Sequence, residues 1–152
     1  MPRATIAGEV EKKFSTLIHV LFDKLSRAKT HFDIWYALQQ YRKNYYDELN
    51  TGPAFWGLTM RAPFSAALVQ LSKLDDKQQD SMSIWTLLDM ADKHIAMFGK
   101  EAFAERVKGP ASPEYIPSYT PLTREMIKLD RQRLETLRPT LKNLKGWRDK
   151  VL

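Results

Sequence analysis

PAFWGLTMRAPFSAALVQLS, residues 53–72, carries a single charge, Arg61. A helix that is apolar on nearly every side has to be surrounded by other elements, because no face of it suits water. It is therefore the expected central element of a helical core. Pro63 should bend or restart it, since the ring removes a backbone donor and crowds the preceding turn.

The flanking segments supply the partners. Ile6, Val10, Phe14, Leu17, Leu21 and Leu25 recur every three or four residues, which predicts an amphipathic helix from about Ala4 to Ala28. Thr30 with Asp33 three positions on has the form of a helix start, so a second helix is expected through Trp35, Leu38, Tyr41, Tyr45 and Leu49, stopped at Asn50-Thr51-Gly52-Pro53. Downstream of the polar run Asp75–Asp80, Ser81 or Ser83 caps a shorter helix through Ile84, Leu87, Leu88, Ala91 and Ile95, with a further turn or two over 101–107. Four prolines between Gly109 and Pro121 predict a long loop. Periodicity resumes from Leu122 to Leu137, Pro139 should break or kink it, and Thr140 to Leu152 forms a last segment. No stretch alternates with period two. The expectation is an all-α fold, an antiparallel bundle of four to five long helices with a Pro-rich loop before the last helices.

With 152 residues, 43% of them hydrophobic, the chain can form one well-cored domain, residues 1–152. There is no cysteine, which excludes disulfides and thiolate metal sites and suits a cytoplasmic protein. No segment approaches the ~20 apolar residues of a membrane span, so no membrane partner is expected. His19, His31 and His94 are isolated from one another, no Gly-rich phosphate loop occurs, and there is no Gly-x-Ser-x-Gly. Neither a metal nor a cofactor is expected. His31 shares a helix face with Arg27 only if no break falls between them, and Thr30 is the expected break. The four tryptophans, Trp35, Trp56, Trp85 and Trp147, fall one to a segment and read as core or interface anchors, with base stacking as the minor alternative.

Charge is unevenly placed. The net charge is +6, and nine Lys/Arg against four Asp/Glu between Leu122 and Leu152 leave +5 in that last fifth. This is either a solvated helix face or the electrostatic footprint of a polyanion, RNA before a membrane surface. Leu134, Leu137, Leu141, Leu144 and Val151 keep an apolar spacing, and Arg148 falls on the same stripe. A guanidinium there must meet an anion, a carboxylate or a phosphate. Arg61 either reaches that anion or snorkels to the surface on its aliphatic stem.

The terminal LKGWRDKVL, residues 144–152, resembles the final-helix signature of the HEPN superfamily. LVQLSKLD, residues 68–75, followed by SIWTLL, residues 83–88, is similar to the AbiU branch linked to abortive infection. The resemblance implies a helical homodimer with a metal-independent RNase site across its interface. That site consists of an arginine, a polar residue directly after it, and a histidine four to six intervening residues downstream. Arg148 and Asp149 match the first two positions; the histidine would fall just beyond Leu152, and no other arginine has one at that spacing. Lys142, Lys145 and Lys150, with Arg61, are the expected RNA-binding cations.

Arginine orients phosphate and stabilises developing charge, but a group titrating near neutrality has to move the proton, and an ordinary aspartate does not. Two accounts of the ending therefore stay open. Either the chain continues past Leu152 to the histidine, as its abrupt end inside an apolar stripe suggests, or it is a catalytically silent relative. The first gives an endoribonuclease of prokaryotic defence or toxin-antitoxin type, with an antitoxin or other protein partner. The second gives a non-catalytic RNA-binding or partner-binding dimerisation module. A third reading is a plain helical interaction protein in which Arg148 pairs with Asp75 or Asp76.

Overall fold

The computed structural model describes residues 3–78, 81–107 and 118–151. Among them every regular element is helical: α1 (Arg3–Tyr41), a 3-10 turn (Arg42–Tyr45), α2 (Tyr46–Asn50), α3 (Pro53–Leu74), α4 (Ile84–Lys93), a second 3-10 turn (Ile95–Phe98), α5 (Lys100–Arg106) and α6 (Arg124–Val151). The protein is all-α. Of the expected Pro-rich loop, Gly109 to Pro121, residues 109–117 lie outside the described residues and 118–121 form neither helix nor strand; the side chains of residues 3–7, 148, 150 and 151 are likewise outside the described set.

The expected break at Thr30 does not occur, because α1 is one helix of 39 residues. Its inner face runs Leu17, Leu21, Lys24, Ala28, His31, Trp35, Leu38, an unbroken 3-4 alternation whose members are buried or half-buried. Three of those positions are Lys, Ala and His, so the stripe fades in the sequence just where the helix continues. Asp33 is used as the i+4 partner of Lys29, at 2.5 Å, rather than as part of a helix start. Leu25, expected on the inner stripe, is exposed; Lys24 takes that place, donating from Nζ to the Met82 carbonyl at 2.6 Å, and burial lowers its pKa.

α3 packs antiparallel to α1. Leu17 and Leu21 form the core with Leu74 at one end, with Leu71, Ile84 and Leu87 packed around them, while the Trp35 and Phe64 rings meet at 4.8 Å further along. That register sets Ala28 level with Ala67, both buried, and small residues there let the two axes approach closely. Pro53 starts α3 at a position where its missing donor is harmless. The helix continues through Pro63 without restarting.

Ser83 caps α4: its Oγ accepts from the Thr86 N–H at 3.3 Å, and the residue is fully buried, 0% exposed. α4 runs back along α1, with its start against Leu21 and the Phe98 ring beyond its end on Phe14 at 4.9 Å. Arg106 of α5 reaches Glu11 of α1 at 3.4 Å and also donates to the Met97 carbonyl. Tyr119 stacks on Phe103 at 3.9 Å and donates to the Phe98 carbonyl, which anchors the approach to α6. Thr123 then caps α6, its Oγ1 accepting from the Met126 N–H. α6 is also continuous: the break expected at Pro139 is absent, and a single helix replaces the two segments anticipated there. Ile127, 2% exposed, is its deepest anchor.

Leu68 is 2% exposed in the C-terminal half of α3. Leu68→Ala should therefore cost about 3 kcal/mol in urea unfolding, and Ser83→Ala about 1 kcal/mol through loss of the cap.

Candidate functional site

α6 lies against both α4 and α3. Its ion pairs give its direction: Arg124 meets Asp92 at 3.5 Å, and a turn or two later Arg131 meets Asp89 at 2.8 Å. α6 is thus antiparallel to α4, and since α4 and α3 both oppose α1, it is antiparallel to α3 as well. Past Lys145, which sits at the Asp75 end of α3, the helix continues in the direction of the Arg61 end.

Much of the basic excess of this helix is already neutralised. Arg124 and Arg131 hold Asp92 and Asp89, Arg133 holds Asp130 at 3.1 Å, and Arg138 holds Glu135 at 3.3 Å. Glu135 also accepts from Lys77 at 2.7 Å. That hydrogen bond holds the Glu135 carboxyl below the ordinary glutamate range. Lys77 in turn sits 3.8 Å from the centre of the Trp85 ring.

The expected RNA-binding cations have different surroundings. Lys145 is half-buried, with Nζ 3.6 Å from Asp75 Oδ2 and 3.4 Å from the Asp75 carbonyl oxygen. The other carboxylate oxygen of Asp75 accepts from the Trp85 indole at 2.9 Å. Asp75 therefore ties α3, α4 and α6 together. Lys142 is exposed and makes no ion pair among the described residues. Asp149 is exposed on the last turns of α6. Arg148 and Lys150 stand in the same helix, but their side chains lie outside the described set, and with them the suggested pairing of Arg148 with Asp75 or Asp76.

Arg61 is exposed and lines a cleft of about 390 Å³ between α1 and α3, together with Trp35, Gln39, Arg42 and Phe64. Neither Arg61 nor Arg42 makes an ion pair among the described residues. About 20 Å of helix separates Arg61 from Asp75 and hence from Lys145, so the expected cations do not share one pocket. Arg42 was not anticipated. Its signal lay in the register rather than in the local sequence, because antiparallel packing alone brings residue 42 beside residue 61. An aromatic wall with two guanidinium groups can stack a flat ring and hold an anion.

Unbroken α1 also aligns Asp23, Arg27 and His31 on one face, which the expected break would have separated; Arg27 is held by Asp23 at 2.9 Å. No three His, Asp or Glu side chains gather to hold a metal ion among the described residues, and no helix there is long and apolar enough to cross a membrane.

The all-α bundle, with Arg148-Asp149 late in its last long helix, agrees with the HEPN class that the family comparison gives. The family model HEPN_AbiU2, described as AbiU2, matches residues 11–152, and the chain belongs to that family. No curated protein and no solved structure matches it.

In a carbon-detected NMR titration, the Glu135 carboxyl should titrate below the ordinary glutamate value, and Lys77→Met should move it upward toward that value. The sign follows: the pair stabilises the fold at neutral pH and loses that contribution as pH falls through the lowered Glu135 value.

Proposed function

We propose that this chain is an RNA-binding HEPN protein of abortive-infection type, acting as a homodimer. With an acid/base histidine in the family position it is a metal-independent endoribonuclease. The observation that carries this reading is the family match, which extends through Arg148-Asp149 at the end of α6. The unpaired guanidinium groups of Arg42 and Arg61, on the side toward which α6 runs, support it as a phosphate-binding surface.

In this mechanism Arg148 holds the scissile phosphate and stabilises the charge that develops on it. Asp149 orients its partners, Lys142 and Lys150 add attraction along the strand, and Arg42 and Arg61 bind a neighbouring nucleotide. Lys145 contributes from its place beside Asp75. Histidine has the pKa needed to take the 2′-hydroxyl proton or protonate the leaving oxygen. A non-catalytic binding module is the second reading, in which the same cations hold RNA without turnover. A neutralising protein partner is compatible with either.

Dimerisation is supported by a second apolar stripe on α1. Ile18, Phe22, Leu25, Phe32 and Tyr36 follow the same 3-4 spacing as the inner face, one position over, and all are exposed, Phe22 at 70%. A row of large apolar side chains on a monomer surface suits an isologous contact. Trp147, 55% exposed beside Arg148, would extend it.

RNA binding should fall steeply with salt. Measured by filter binding of a mixed-sequence single strand, each lost phosphate contact should reduce the slope of log K against log salt by about 0.7. Arg42→Ala with Arg61→Ala should show that reduction, and an unchanged slope would remove the cleft from the interface. The intact mass of the protein from its native locus, set against 17.7 kDa, separates the two readings. A larger mass with a histidine soon after residue 152 supports cleavage, and an equal mass supports binding alone. In sedimentation, Phe22→Asp and Trp147→Asp should each yield monomer; a dimer that persists in both would refute this placement of the interface.

A further inference from the structure

We infer that the groove between the N-terminal third of α1 and α4 is a docking site for an acidic amphipathic helix of a partner protein. Two depressions, of about 540 and 620 Å³, meet at Lys13, Thr86 and Met90. One opens past Val10 toward Trp85 and Lys93, the other past Leu17 toward Met82. Glu9 to Leu17 spans about 12 Å of helix, long enough to seat about two turns of a second helix.

The floor is apolar and adaptable. Val10, Leu17, Met82 and Met90 supply most of it, and methionine side chains reshape to fit a helical ridge. The rim is cationic: Lys12, Lys13 and Lys93 make no ion pair among the described residues. The described acids that line the groove do not balance them. Among the described lining residues Asp89 is held by Arg131 at 2.8 Å, which leaves Glu9 near Lys12 and Lys13. An occupant must therefore bring carboxylates on both flanks of an apolar stripe.

RNA fits this groove less well. The aromatic face lining it belongs to Trp85, and Lys77 already covers that ring at 3.8 Å, so a base would have to displace the lysine and its bond to Glu135. Aliphatic floor and lysine rim are the complement of a peptide helix. This surface is separate from the Arg42–Arg61 cleft, so its use does not depend on RNA binding.

The test is a fluorescence-anisotropy titration of the full chain with a dye-labelled helical peptide of about 14 residues, leucines on one face and glutamates on both flanks. A scrambled peptide of the same composition is the control. The ordered peptide should bind at least about tenfold more tightly than the scrambled one. Met82→Asp, at an exposed position of the floor, should abolish that preference, and Lys12→Glu, Lys13→Glu and Lys93→Glu together should weaken binding about tenfold. Circular dichroism and urea unfolding verify that both variants remain folded. Equal binding of the two peptides, or unchanged binding by either variant, overturns the proposal. So does displacement of the peptide by single-stranded RNA, which would make the groove an RNA site, or a change of oligomeric state in the lysine variant, which would make it a contact between copies.

Discussion

The close antiparallel contact of α1 with α3 is the constraint on which the other helices depend. Ala28 and Ala67 are both buried at the same level of the pair, and neither has a side chain that would hold the axes apart. Leu17, Leu21 and Leu74 close one end, and Trp35 on Phe64 marks the register further along. Once the pair is fixed, α4 and α6 have a defined ridge to settle against. A larger residue at Ala28 or Ala67 would have to separate the helices or shift their register, and the buried positions around it allow little adjustment. The same register brings Arg42 to Arg61, so a steric fact in the core determines which charges meet on the surface.

Polar contacts then pin what the apolar core leaves loose. Asp75 accepts from Trp85 and pairs with Lys145, Lys24 reaches the Met82 carbonyl, and Lys77 joins Trp85 to Glu135. All of these converge on the turn between α3 and α4. Each exposed pair contributes little by itself; their value lies in orienting α4 and α6 about one junction. This also changes the meaning of the basic C-terminal helix, because arginines that count toward a polyanion footprint in the sequence hold carboxylates of α4 or of their own helix.

The sequence makes the helical class legible through period and the α4 cap through its Ser81 and Ser83 candidates, of which Ser83 is used; the expected centrality of residues 53–72 holds only for their second half, around Ala67 and Leu68, because Phe55 and Leu58 stay exposed at 63% and 71%. What it conceals has physical causes. Lys24, Ala28 and His31 interrupt the apolar signal on α1 without interrupting the helix, because a snorkelling lysine, a small alanine and a half-buried histidine all fit an inner face. Thr30 and Asp33 mimic a start, yet Asp33 is satisfied by Lys29 within a continuing helix. Pro139 likewise removes one donor from α6 without ending it, since the flanking turns remain intact. The Arg42–Arg61 cleft is invisible for a different reason: it is made by tertiary register, and neither residue carries a local mark.

Two apolar stripes, one position apart on α1, set the remaining argument. The inner stripe is consumed by α3 and α4, so the outer row of Ile18, Phe22, Leu25, Phe32 and Tyr36 cannot be an accident of intramolecular packing. Lys29 is the outer row's charged interruption at that spacing, and Lys24 the inner row's. If a second copy covers the outer row, the antiparallel α1–α3 pair lies between two interfaces, and a cleft at its Arg42–Arg61 end is held from both sides. Rigidity imposed on that pair by dimerisation would then reach the guanidinium groups directly, through the helices that carry them.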